Sequence, residues 1–273
     1  MHQMSFSLRD GKINRLMKFM FGRFSKKKKT DKPNDEKLDG FAYVIGDIHG
    51  CFDELVELLQ LIKQDAALQP SGSKHVVFLG DLMDRGPKSK EVIEHLLSYK
   101  PDFATPVFLM GNHEEVFLKV LSGSESALAS WFEFGGRSCV RSYGVENLGE
   151  ILISPENLLF RIQEKVPQSH IDFIESFQET FQFGPYLCVH AGIKPRVPIE
   201  KQTTKDFRWI RKEFIKYTKP HPFIIVHGHT IVKTAQVLPN RIPVDTGTYE
   251  GGPLTAVRLG ADGAHFIQTV PKA

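Results

Sequence analysis

Cysteine is scarce in this chain, with three residues in 273. Cys51, Cys139 and Cys188 form no close pair, and one is left over. That excludes the disulfide framework of a small secreted domain and points to a reducing compartment. None of the three lies in a nucleophile motif, so thiolate catalysis is not expected. No apolar run approaches the roughly 18 residues of a membrane span. The N-terminus lacks the apolar core and small-residue cleavage site of a secretory signal. Internal repeats and low-complexity stretches are missing as well. The expectation is a cytoplasmic protein of ordinary globular composition, 41% apolar and 25% charged.

The body also lacks an excess of positive charge. Residues 1–39 carry eleven Lys/Arg against five Asp/Glu, whereas the remainder has 24 against 27. The basic isoelectric point therefore belongs to the N-terminal extension, and nothing in the body predicts specific nucleic-acid binding. Within the extension Ile13, Leu16, Met17, Met20, Phe21 and Phe24 recur at one helical face. Lys12, Arg15, Lys18 and Arg23 lie off that face, and four lysines follow at 26–29. This predicts a cationic amphipathic helix that could place the protein at an anionic membrane surface. Residues 30–37 read as a linker. The expected organisation is an extension over 1–39 and a catalytic domain over 40–273.

What the body does have is a recurring device: a short apolar run that ends in glycine and a polar ligand-type residue. "FAYVIGD" (41–47), "HVVFLGD" (75–81) and "PVFLMGN" (106–112) share it, and "YLCVHAG" (186–192) and "FIIVHGH" (223–229) vary it with histidine. Runs of this length read as buried strands. Helical patterns separate the first three: Phe52, Leu55, Val56, Leu59 and Ile62, then Val92, Ile93, Leu96 and Leu97, with a third opened by Glu114 and Glu115. Alternating strands and helices imply an α/β fold. "IPVDTG", "LTAVRL" and "AHFIQTV" lack intervening helices and suggest a second, more antiparallel sheet.

Open α/β sheets carry ligands at the carboxyl ends of their strands. The five loops offer Asp47, His49, Asp81, Asn112, His113, His190 and His229. Oxygen and imidazole donors without thiolate suit Mn, Fe or Zn. Seven candidates exceed the needs of one ion and suit two that share a carboxylate. "GDLMDRG" (80–86) is the richest loop, with two aspartates and an arginine where a simple turn needs a glycine and one aspartate.

"GDIHG" (46–50), "GDLMDRG", "GNHE" (111–114), "HAG" (190–192) and "GHT" (228–230) together resemble the motif series of the metallophosphoesterase superfamily. The first three are most similar to its bacterial and phage phosphoprotein-phosphatase branch. The resemblance covers about 41–250 and implies a central β-sandwich of two mixed sheets flanked by helices, an α/β/β/α architecture. It implies two divalent ions, most readily Mn, held by Asp47, His49, Asp81, Asn112, His190 and His229, with Asp81 shared. His113 is similar to the family's general acid, paired with Asp84. Arg85 resembles a phosphate-binding arginine, Arg211 in "FRWIRKEF" (207–214) a second, and Asn112 also faces phosphate. The implied reaction is direct attack on phosphorus by a hydroxide bridging the two ions.

The resemblance leaves three functional expectations. The first is a phosphatase acting on phosphoserine and phosphothreonine in proteins. The second is a hydrolase of diadenosine tetraphosphate or a related nucleotide. The third is a catalytically silent module tethered by its basic helix. Outside the motifs, His75, His95, His170, His221 and His265 are expected to be structural, and His227 to support His229 without being a ligand. Glu114 reads as a carboxylate at a helix start, where the dipole favours it. "WFEFGGRSCVRSYG" (131–144) reads as two helices with a glycine break, a candidate wall of the substrate cleft.

Overall fold

The computed structural model describes residues 38–146, 148 and 154–271. The expected amphipathic helix of the extension lies outside these residues. Two sheets form the centre. The first has strand order β3-β2-β1-β8-β9 and the second β4-β5-β6-β7. In the first, β1 (Phe41–Ile45), β2 (Lys74–Phe78) and β3 (Thr105–Phe108) are parallel. β8 (Thr255–Gly260) adds antiparallel to β1, and β9 (Gly263–Gln268) antiparallel to β8. In the second sheet β4 (Thr180–Phe183) pairs antiparallel with β5 (Tyr186–Val189). β6 (Ile224–His227) and β7 (Arg241–Pro243) continue in parallel.

The strand pleat explains why these segments read as unbroken apolar runs. In β1, Ala42 and Val44 face the second sheet, where they meet Cys188, Val226 and Ile242. Tyr43 and Ile45 face the opposite way, into a core shared with helices. A strand covered on both faces has no polar alternation. The helices on that side are α1 (Phe52–Leu68), α2 (Ser89–Leu97), α3 (Asn112–Leu121), α4 (Glu125–Glu133), α5 (Gly136–Ser142), α6 (Pro155–Lys165) and α7 (Gln168–Glu175). On the far face of the second sheet, Leu187, Val189 and Ile225 pack against Phe207 and Phe214. Those two come from the short helices α8 (Thr204–Trp209) and α9 (Lys212–Ile215). The layers are thus helix, sheet, sheet, helix, as the resemblance implies.

Two details differ from the sequence reading. The closing strands do not make a separate antiparallel sheet: β8 and β9 extend the first sheet, and β7 joins the second in parallel. β1 supplies the open edge that β8 occupies, which periodicity alone does not reveal. Leu97 ends α2 with 37% of its surface exposed, although it falls on the apolar face. The break at Gly135 is present: it adopts φ of 106° between α4 and α5.

Candidate active site

The loops that follow β1, β2, β3, β5 and β6 converge, and backbone bonds tie them before any side chain does. Ile48 and His49 amides both donate to the Asp81 carbonyl, and the Gly50 amide to that of Leu82. Glu114 adds a third tie. Its Oε2 accepts from the amides of Asp81 (2.8 Å) and Gly111 (3.1 Å), and its Oε1 from that of Leu82 (2.8 Å). Fully buried, it staples the loop after β2 to the start of α3. Burial, then the Asp81 charge, raises its pKa to about 7 against the pull of those amides. Its position at a helix start is legible in the sequence, but this clamp is not.

Asp81 is the hub. Its Oδ1 accepts from the His113 amide at 3.1 Å. Its Oδ2 lies 3.4 Å from His190 Nε2, 3.7 Å from His49 Nε2 and 3.9 Å from His113 Nε2. Two groups of side chains with the spacing of cation ligands meet at this carboxylate: Asp81 with His49 and His113, and Asp81 with His190 and His229. Asp47 adjoins both groups. Its oxygens accept from the His229 amide at 3.1 and 3.0 Å, and its Oδ2 stands 4.0 Å from His49 Nε2. Gly228 makes that approach possible, since a Cβ there would stand 2.0 Å from Asp47 Oδ1.

The protons fix which atoms can take a cation. His49 Nδ1 faces the Met83 carbonyl at 2.8 Å, and His190 Nδ1 faces that of Leu79 at 2.9 Å. A carbonyl only accepts, so each Nδ1 carries a hydrogen, and each Nε2 faces inward toward Asp81. His190 Nε2 then meets Asn112 Oδ1 at 3.0 Å, His229 Nδ1 at 3.2 Å and Asp81 Oδ2 at 3.4 Å. Four atoms of the kind that bind cations converge there. Such a donor set fits divalent cations and is unlike an ordinary polar core, whose acceptors find hydrogens. The electrostatics agree. Burial first, then the charges of Asp245 and Asp81, holds the Asp47 carboxyl well above its usual range. Burial drives the His49 pKa down to about 3 and that of His229 to about 2, so both rings are neutral and free to ligate.

His113 differs from its neighbours. Burial lowers its affinity for a proton, but the Asp81 charge and the hydrogen bond and charge of Asp84 outweigh that and raise its pKa to about 9. Its Nδ1 donates to Asp84 Oδ2 at 2.6 Å. An imidazolium has no lone pair to offer, so His113 lies within the ligand cluster without the character of a ligand. The same Asp84 oxygen accepts from Trp131 Nε1 at 2.7 Å, and the Asp84 amide donates to Ser89 Oγ at 3.0 Å.

Residues 42–256 match the family described as calcineurin-like phosphoesterase. The chain belongs to that family. Among curated proteins, the phosphoesterase is 28% identical over 244 residues to the bis(5'-nucleosyl)-tetraphosphatase PrpE [asymmetrical] of Halalkalibacterium halodurans, covering 79% of this chain and 89% of that one. Among solved structures it resembles a provisionally assigned diadenosine tetraphosphatase, with a TM-score of 0.59 and 20% identity over 88% of this chain and 96% of that one. A cold-active protein-tyrosine phosphatase of a Shewanella species gives a TM-score of 0.52 and 19% identity over 84% and 80%. Likenesses of this order between structures show the fold.

The phosphoesterase brings both candidate arginines to the site. Arg85 stacks over the Tyr249 ring, 4.4 Å from its centroid, and also donates to the Tyr249 hydroxyl. Arg211 lies between α8 and α9, with a guanidinium nitrogen 3.5 Å from His229 Nδ1. His227 is fully buried against Phe214 and belongs to neither group of cation-type side chains. Sequence reasoning missed Trp131, Asp245 and Tyr249. Asp245 is buried beside Asp47, and burial raises its pKa to about 6 although the Gly247 amide donates to it. The signal for Asp245 was the "VDTG" run after β7, which repeats the device of an apolar run ended by aspartate. Five site residues have left-handed backbones: His49, Asp81, Asp84, Arg85 and His229, with φ between 48° and 70°. Non-glycine residues in that region carry strain, which gathers at functional sites.

Proposed function

We propose that the protein hydrolyses dinucleoside polyphosphates, cutting diadenosine tetraphosphate asymmetrically into a nucleoside triphosphate and a monophosphate. Asp81 Oδ2, shared between two groups of imidazole donors, carries the assignment to phosphoester chemistry. The choice of substrate rests on the curated relative that the chain matches over most of both lengths. On that ground the dinucleotide takes precedence over the phosphoprotein that the "DRG" and "GNHE" motifs favour by resemblance.

Asp47, His49 and Asp81 would hold one cation, and Asp81, Asn112, His190 and His229 the other. Two divalent ions, manganese foremost, supply an activated water and neutralise phosphoryl charge when bound. The chain's own groups do the rest. Arg85 and Arg211 take phosphoryl oxygens through charge-assisted hydrogen bonds, with the Tyr249 ring holding Arg85 in place. His113, kept protonated beside Asp84, delivers a proton to the departing oxygen.

The second reading, a phosphoserine and phosphothreonine phosphatase, draws on the same His113–Asp84 pair, because an alkoxide leaving group needs a proton more than a phosphate does. A direct comparison decides between them. With Mn²⁺ present, kcat/KM for diadenosine tetraphosphate should exceed that for a phosphothreonine peptide, and the products should be ATP and AMP. Dominant turnover of the peptide would overturn the proposal, and two ADP would overturn the asymmetric cut.

A further inference from the structure

Beside the phosphate-binding arginines stands an aromatic pair that the reaction does not use. Phe134 closes α4 with 42% of its surface exposed. The next residue, Gly135, is pressed on Arg85: its carbonyl accepts from the Arg85 amide at 3.1 Å, and a Cβ on it would stand 2.7 Å from Arg85 Cγ. The Phe134 ring meets that of Trp209 at 6.5 Å between centroids and an interplanar angle of 62°. Trp209 stands two residues before Arg211, which reaches His229. Phe134 thus neighbours Arg85 through Gly135, and Trp209 neighbours Arg211 along the chain.

The pair is built, not scattered. Trp209 Nε1 donates to Glu115 Oε2 at 3.0 Å, which fixes the indole plane. Glu115 is also engaged by Arg208 and Lys119, so its charge is compensated and does not repel an approaching phosphate. Trp209 also packs on the core, and edge-to-face contact leaves stacking surface on the exposed Phe134 ring. A lone exposed phenylalanine needs no explanation. An exposed one, set on a hydrogen-bonded tryptophan between two arginines, suits a ligand that is anionic at one end and a flat aromatic at the other.

We infer that Phe134 and Trp209 form a platform on which the base of a nucleoside phosphate stacks while its phosphate lies between Arg85 and Arg211. The inference deepens the reading of the protein as a dinucleotide hydrolase and rests on it for the identity of the substrate. The binding it describes is separable from turnover. A base–aromatic contact is sequence-tolerant, so the platform accepts adenine and guanine alike.

The test is equilibrium binding of AMP and of ribose 5-phosphate, which lacks the base, to the full-length Mn²⁺-loaded protein and to Phe134→Ala and Trp209→Phe. AMP should bind the wild type about 5- to 100-fold tighter than ribose 5-phosphate. In Phe134→Ala that ratio should fall toward one while the affinity for ribose 5-phosphate holds, and Trp209→Phe should lie between. No preference for AMP in the wild type, or a preference that both variants retain, would overturn the platform. Equal loss of both ligands in Phe134→Ala would also overturn it, since the residue would then act through Arg85. Intact AMP selectivity in a protein that turns over only phosphopeptides would uphold the platform and remove the dinucleotide reading.

Discussion

Trp131→Phe isolates one hydrogen bond behind His113, the proposed proton donor. The indole is fully buried, its ring packed on Phe117 and against Gly136, where a Cβ would stand 2.4 Å from it. Phenylalanine keeps an aromatic ring in that slot but removes the Nε1–H donated to Asp84 Oδ2 at 2.7 Å. Asp84 is fully buried, and burial already raises its pKa against the hydrogen bonds of His113 and Trp131. A hydrogen bond to a buried charge contributes about 1.5–3 kcal/mol. Its loss raises the Asp84 pKa further. An Asp84 that takes up a proton more readily loses the charge that keeps His113 protonated. The consequence depends on the leaving group. Hydrolysis of an alkyl phosphate, whose departing oxygen needs the proton, should fall about 10- to 100-fold in kcat. Hydrolysis of p-nitrophenyl phosphate should fall less than about 3-fold, because nitrophenolate leaves without help. The smaller ring also leaves a cavity that lowers stability by about 1–3 kcal/mol, so both assays belong well below the melting temperature of the variant. Equal losses on the two substrates would show that Trp131 only supports the fold, and no loss on the alkyl phosphate would remove it from the proton relay.

Three further outcomes follow from the same geometry. His113→Asn should cut turnover of a phosphothreonine peptide by about 100- to 10,000-fold and that of diadenosine tetraphosphate much less, and a uniform loss would contradict its role as acid. Treated with a chelator, the protein should melt at falling temperature as pH rises from 6.5 to about 9. His113, with a folded value of about 9 above its ordinary 6.5, contributes stability that is lost as pH rises between the two. A melting temperature that climbs steadily from pH 6.5 to pH 8 would refute the reading. Residues 1–39, fused to a reporter, should sediment with anionic vesicles at low salt and be released by high salt, and failure at low salt would discard the amphipathic anchor.

Much of this site is legible in the sequence because each ligand-bearing loop follows its strand directly. Asp47, Asp81, Asn112, His190 and His229 each sit within a few residues of an apolar run, so strand order and chemistry arrive together. Arg211 is less so. It lies between two short helices, and only the fold carries it to His229. Trp131 and Glu114 escape for a different reason. Their work is done across gaps of 47 and 33 residues, to Asp84 and Asp81, and a local pattern cannot encode the far partner of a hydrogen bond. The closing strands illustrate the same limit. β8 and β9 read as strands from their own residues, but the edge they join is set by β1, two hundred residues earlier in the chain.

The left-handed backbones at His49, Asp81, Asp84, Arg85 and His229 set heat tolerance against turnover. Each such residue stores about 1 kcal/mol or more that a glycine would not. The chain forgoes that stability to hold ligands and charges where an extended backbone could not present them. A library selected for heat tolerance alone should therefore accumulate glycine at these five positions, and its hardiest members should be inert.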